Sequence, residues 1–164
     1  MRNTHHREFA VPAPVLGALL DGLPQRLWPG DRWPPSRLDD GLAVGSRDRH
    51  GPIRYTVVEY EPGRRLRFAF DPTIGLDGFH EFRVEEVGAG RSRLVHDMGG
   101  RLHGAMVLGW PLAFRWLHDA LLRDLLDNAE RAATGAVRRP ARWSPYVRLL
   151  RSLASRRRPA VART

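Results

Sequence analysis

"GWPLAFRWLHDALLRDLLDNAERA", residues 109–132, reads as one helix whose apolar side is too broad for a helix lying on a protein surface. At about 100° per residue, Trp116, Ala120, Ala113, Leu117, Trp110, Leu121, Phe114, Leu125, Ala129, Leu122 and Leu126 take up more than half the circumference. Arg115, Asp119, Arg123 and Glu130 form the narrow polar strip that remains. A surface helix needs an apolar stripe only a little over ~100° wide. This one, expected over about Pro111 to Ala133, must therefore be covered on more than one flank. His118 falls near the middle of the apolar arc, between Leu125 and Ala129.

Working outward, the preceding chain is mostly extended. "PIRYTVVEYE" and "RLRFAF" flank the turn "PGR", and "GFHEFRVEEV" and "RSRLVHDM" flank "GAGR". Two successive hairpins predict an antiparallel meander. Gly99-Gly100 is expected to break the last strand with a bulge or sharp bend, and "RLHG" to continue after it. Nearer the start, "REFAV" reads as a first strand, and "APVLGALLDGL" and "PQRLW" as two short helices opened by prolines. The Pro/Gly-rich stretch "WPGDRWPPSRLDDG" reads as loop with a short strand near Ser36–Leu38. The predicted class is α+β: a curved antiparallel sheet of six or seven strands around one long C-terminal helix, with two short helices after strand 1. Only the last helix is long enough to cover the sheet's concave face.

This order, with "REFAVPAPV" leading into two short helices and a terminal helix of the "WPL…LHDALLRDLLDNAERA" kind, resembles the START-like helix-grip superfamily. That group, also labelled SRPBCC, includes polyketide cyclase/dehydrase-like proteins, lipid-transfer domains and pollen allergens. The resemblance covers roughly residues 6–134 and rests on topology. It implies a deep sheet–helix cavity for a hydrophobic or amphipathic small molecule, and it does not imply a reaction.

Strand alternation selects the residues expected to line that cavity. Leu66, Phe68 and Phe70 share one face, as do His80, Phe82 and Val84, and Leu94, His96 and Met98. The expected ligand-binding set is Phe68, Phe70, His80, Phe82, His96, Met98, Phe114, Leu117, His118 and Leu121. With the hairpin centred on Gly88–Gly90, His96 falls near Phe82 and diagonal to His80, and His118 hangs above them. A carrier or sensor needs only this lined void. The alternative is a cyclase/dehydrase-like enzyme in which His96 or His118 moves protons. No carboxylate shares their expected face, since Asp97 points outward and Asp119 sits on the polar strip. A catalytic histidine lacks an orienting partner there; a metal held by His80, His96 and His118 is a further reading, but no cofactor and no resident metal is expected. Arg54 and Tyr55 are candidates for the cavity mouth, and Trp28, Trp33 and Trp110 for its lid or the edge of the core. Glu81, Glu85 and Glu86 with Arg83 read as a solvated strand face.

Composition narrows the partners. The chain has 164 residues, no cysteine and a net charge of +9, enough length for one domain with a real core. Its N-terminus lacks a signal-type apolar segment, and the longest apolar run is too short to span a bilayer, so a cytoplasmic location is expected. Residues 1–134 carry 18 arginines against 18 acidic residues, and residues 135–164 carry 9 arginines and no acid. The body thus has no basic face, and nucleic acid is not the expected partner.

Residues 1–134 are expected to form the ligand-binding domain and to fold without residues 135–164, an Arg-rich tail. Within that tail, Ser144 and Pro145 open a short amphipathic helix. About three turns are marginal alone in water. The helix is expected to form only on a surface: an anionic membrane through residues 143–158, a partner, or the body itself.

Overall fold

The computed structural model describes residues 1–50 and 53–156. Six strands form one antiparallel sheet: β1 (Arg2–Phe9), β2 (Arg47–His50), β3 (Ile53–Glu61), β4 (Arg65–Phe70), β5 (Leu76–Gly88) and β6 (Arg91–Leu102). Their spatial order is β1-β6-β5-β4-β3-β2, so the first strand joins the last across the meander. Helix α1 (Ala13–Asp21) and a π turn (Leu23–Leu27) follow β1, which makes the second short helix a single wide turn. The strand expected near Ser36–Leu38 is not formed; β2 takes that edge eleven residues later, pairing Asp48 with Tyr55. The Gly51–Pro52 entry to β3 falls outside the described residues.

The long helix begins earlier than the periodicity predicts. It starts as α2 (Met106–Gly109), widens to a π turn over Trp110–Phe114 and runs on as α3 (Arg115–Thr134). Pro111 has no N–H to give to the preceding turn, and the widening falls at that residue. Gly135 ends the helix in the left-handed region at φ 82°, where an absent Cβ removes the steric cost.

Two covers account for the broad apolar arc. Leu122, Leu125, Leu126 and Ala129 meet the sheet and α1, in a core shared with Phe9, Leu16, Leu20, Val57, Leu66, Phe68, Phe82 and Leu94. On the opposite flank Ala120, Leu117 and Leu121 pack with Trp33, Trp143 and Val147. The last two belong to the tail, whose helix α4 (Pro145–Arg156) docks on the body rather than waiting for another surface. Trp116, read from the arc as buried, is 46% exposed. Its ring meets Tyr146 of α4 edge-on, with ring centroids 5.9 Å apart.

Gly99 and Gly100 do not break β6, which pairs continuously with β5 from Leu102 to Ser92. Gly78 lies directly opposite Gly100, and a Cβ on Gly100 would stand 2.5 Å from Asp77 O and 2.8 Å from Gly78 Cα. The glycines permit close backbone approach between two strands, and the one irregularity of this pair sits near the turn, between Glu86 and Gly88.

Candidate functional site

The inner face of the sheet carries the predicted alternation. Phe68 pairs with His80, His80 with Met98, and Phe82 with His96. His80 stacks on Phe68 with centroids 4.6 Å apart, and His96 meets Phe82 edge-on at 4.6 Å. His118 descends from α3 to 5.1 Å from His96, with Trp110 on its other side at 5.9 Å. The three histidines therefore face the sheet–helix space. His96 is 1% exposed, and its Nδ1 has no hydrogen-bond partner among the described residues. Burial, reinforced by His118, His80 and His5, holds its pKa well below the usual imidazole value, so it stays neutral.

A fourth imidazole and a carboxylate complete this group, and neither was legible as part of it. His5 of β1 pairs directly with His96 of β6. Its ring centroid lies 6.0 Å from that of His118, and its Nε2 lies 2.9 Å from Asp119 Oδ1. Asn3 Nδ2 donates to the same oxygen at 2.9 Å. Asp119 is thus only 20% exposed and is held by side chains of β1. Burial opposes its charge, but hydrogen bonds from His118, His5 and Asn3 outweigh that and hold its pKa far below the usual carboxylate range. Further along, Arg7 Nη1 is 2.8 Å from both Asp127 and Glu130. Asn3, His5 and Arg7 fall on one face of β1 by the two-residue period, so β1 is joined to α3 by polar contacts ending in the buried ring of Phe9. In "RNTHHREF" the inward alternation is carried by the polar residues Asn3, His5 and Arg7 and not by apolar ones.

The outer face also departs from expectation. Glu81 and Asp97 are nearly buried. Arg65 Nη2 reaches Glu81 at 2.8 Å, Arg83 pairs with Asp97, and Thr4 Oγ1 donates to Asp97 at 2.6 Å. Arginine side chains fold over the carboxylates and shield them.

An open cleft of about 290 Å³ lies at one end of the grip, lined by Ile53, Arg54, Thr73, Ile74, Met106 and Phe114. Of the ten residues expected to touch ligand, Phe114 lines this cleft. Phe68, His80, Phe82, His96 and Met98 are buried inside the sheet, while Phe70, Leu117, His118 and Leu121 are partly buried. Trp33 belongs to the tail-side cluster, and the Trp28 indole donates to Pro34 O at 2.9 Å.

Arg54 and Tyr55 are separated by strand alternation: Arg54 borders the cleft and Tyr55 is buried against Phe68 and His80. Burial, with Asp48 beside it, pushes the Tyr55 phenol well above its ordinary 10.0. The folded state thus keeps a proton that the unfolded chain releases. Its contribution to stability is complete below pH 10 and is lost as pH rises above it, by up to about 1.4 kcal/mol per pH unit. Urea unfolding across pH 8–11 is expected to show this decline and Tyr55→Phe to flatten it; an equal decline in the variant assigns the effect elsewhere.

No protein-family model and no curated protein matches the sequence. Solved structures do match in fold. CalU16 from Micromonospora echinospora superposes with TM-score 0.56 at 16% identity, over 93% of this chain and 83% of that one. Norcoclaurine synthase from Thalictrum flavum, in complex with dopamine and hydroxybenzaldehyde, gives 0.61 at 12% identity over 80% and 84%. A point mutant of that synthase with a transition-state analogue gives 0.63 at 12% identity over 82% and 94%. At these identities the likeness establishes the helix-grip fold, the fold that the sequence resemblance implied. No described helix is long and apolar enough to cross a membrane.

Proposed function

We propose that the chain binds an amphipathic small molecule at the open end of its grip, as a carrier or sensor. The observation that supports this reading is the composition of the cleft. Ile53, Ile74, Met106 and Phe114 offer an apolar floor, and Arg54 places one cation at the rim with Thr73 as a neutral polar neighbour. A concave, mainly apolar site with few polar groups suits a molecule having an apolar body and an anionic or carbonyl end. Among the described residues the lining includes no histidine and no carboxylate, which favours binding over the cyclase-type reaction. The predicted inner residues His80, His96 and His118 then act behind the site, as its wall. A fluorescent fatty acid titrated into the protein tests the proposal. Arg54→Gln is expected to weaken binding about tenfold, equivalent to about 1.4 kcal/mol, and Ile74→Trp to block it. Unchanged affinity in both variants places any ligand elsewhere.

A second reading, contact with an anionic membrane surface, is favoured by one further observation. Leu108, Leu112, Trp116, Tyr146, Leu149 and Leu153 are all exposed, and the Tyr146 hydroxyl donates to Leu112 O, linking the two helices that carry them. Arg142 and Arg148 are exposed on the same tail, so apolar contact and charge attraction are both supplied. The part of this expectation that falls on residues 157 and 158 lies outside the described residues. Sedimentation with anionic vesicles is expected to carry the protein down, and Leu149→Ser with Trp116→Ser to reduce the bound fraction. Equal recovery of the double variant removes this face from the reading.

A further inference from the structure

We propose that His5, His118 and Asp119 form a binding site for one divalent transition-metal ion, with zinc the best-matched. Each offers one ligand atom, and all three atoms lie within 4.8 Å of one another. His5 Nε2 is 2.9 Å and His118 Nδ1 3.9 Å from Asp119 Oδ1. Two ligand atoms bonded at ~2.0–2.1 Å to one tetrahedral ion stand about 3.4 Å apart, so the observed spacings bracket what an ion needs. The third spacing, between His5 and His118, is at most 4.8 Å, so the two rings have to close by no more than about 1.4 Å to share one ion.

The donor chemistry fits. Two imidazoles and one carboxylate suit zinc, whose borderline softness accepts nitrogen and oxygen together, and they leave a fourth position for water or another ligand. The carboxylate is oriented by a group outside the trio, since Asn3 Nδ2 holds Oδ1 at 2.9 Å, as ligating carboxylates commonly are. The side chains are 16%, 17% and 20% exposed, sheltered yet reachable from solvent. A strand-to-helix clamp alone would need only His5 and Asp119. His118 adds a second imidazole from the neighbouring helix position, turned to the same side. Arg115 Nε, 3.9 Å from Asp119 Oδ2, is the competing cation, and its side chain is 59% exposed and able to swing away. His6, next in sequence to His5, points to the opposite face of β1 and is exposed, which makes it a natural control.

The test uses the full chain freed of metal by a chelator and titrated with zinc chloride by calorimetry, with thermal melts in parallel. One equivalent is expected to bind and raise the melting temperature, since an ion bound only by the folded state stabilises it. His118→Ala leaves the His5–Asp119 contact in place and so should fold; it is expected to lose at least about tenfold in affinity, and so is Asp119→Asn. His6→Gln should bind as the parent does. Cobalt in place of zinc should give the visible absorption of a tetrahedral ion, lost in His118→Ala. Absence of stoichiometric binding, unchanged affinity in His118→Ala, or loss of binding in His6→Gln would each overturn the assignment.

Discussion

Asp124→Ala is expected to lower the free energy of unfolding by about 3–4 kcal/mol. The carboxylate is 3% exposed and takes three donors: Trp33 Nε1 at 2.7 Å, Trp143 Nε1 at 3.0 Å and Arg32 Nη1 at 2.8 Å. Removing it leaves two sheltered indole N–H groups without an acceptor, each costing about 1–3 kcal/mol, and an arginine without its partner. The guanidinium is 42% exposed, so water recovers part of its loss and the total stays below a simple sum. Because Trp143 is a tail residue, the change should also loosen α4. Urea unfolding gives the first quantity, and trypsin cleavage within residues 138–151 reports the second. An unchanged midpoint with unchanged cleavage would mean that the other contacts of the tail, Val147 in the apolar cluster, Tyr146 on Leu112 O and the Ala141 amide on Asp127, seat it without Asp124. Truncation after Thr134 is expected to lower stability without abolishing the fold, because the larger core lies wholly before that point.

Gly100→Ala should cost about 2–3 kcal/mol through a different cause. The new methyl would meet backbone atoms of Asp77 and Gly78 at 2.5 and 2.8 Å, and backbone cannot rotate aside as a side chain does, so two paired strands must separate locally. Gly78→Ala meets Gly99 O at 2.2 Å and should behave alike. Gly30→Ala, whose nearest neighbour is a Trp28 carbon at 3.7 Å, is the control and should change stability by less than about 0.5 kcal/mol. If Gly100→Ala unfolds at the same urea concentration as Gly30→Ala, the close approach of β5 and β6 is not as described.

What the sequence disclosed depended on whether hydrophobicity carried the message. The alternation of Phe68, His80, Phe82, His96 and Met98 is strict, so a one-residue slip would have turned the whole set outward, and the inner face could be read directly. The same holds for the breadth of the α3 arc, although the body was only one of three surfaces offered to the tail helix that supplies its second cover. Val147 and Trp143 bind a surface made jointly by Trp33 and Ala120, which come together only on folding. Polar burial was harder to read. Asp124 and Asp127 look like ordinary helix-surface carboxylates until Trp33, Trp143 and the Ala141 amide are brought to them. His5 could be tied to Asp119 only through pairing of β1 with β6, a contact that no local pattern encodes. Trp116 misled for the opposite reason, because apolarity places a residue on an arc but does not say where the cover ends.

The pairing of β1 with β6 also sets a waiting time during synthesis. Arg2–Phe9 leave the ribosome long before their partners Ser92–Gly99, and at ~5–20 residues per second the interval is roughly 4–20 s. An apolar strand idle for that long would be an aggregation hazard. β1 is spared because its waiting faces are Arg2, Asn3, Thr4, His5, His6, Arg7 and Glu8, with only Phe9 apolar at the end. The polar residues that later meet the acids of α3 keep the nascent strand in solution until there is a sheet edge for it to join.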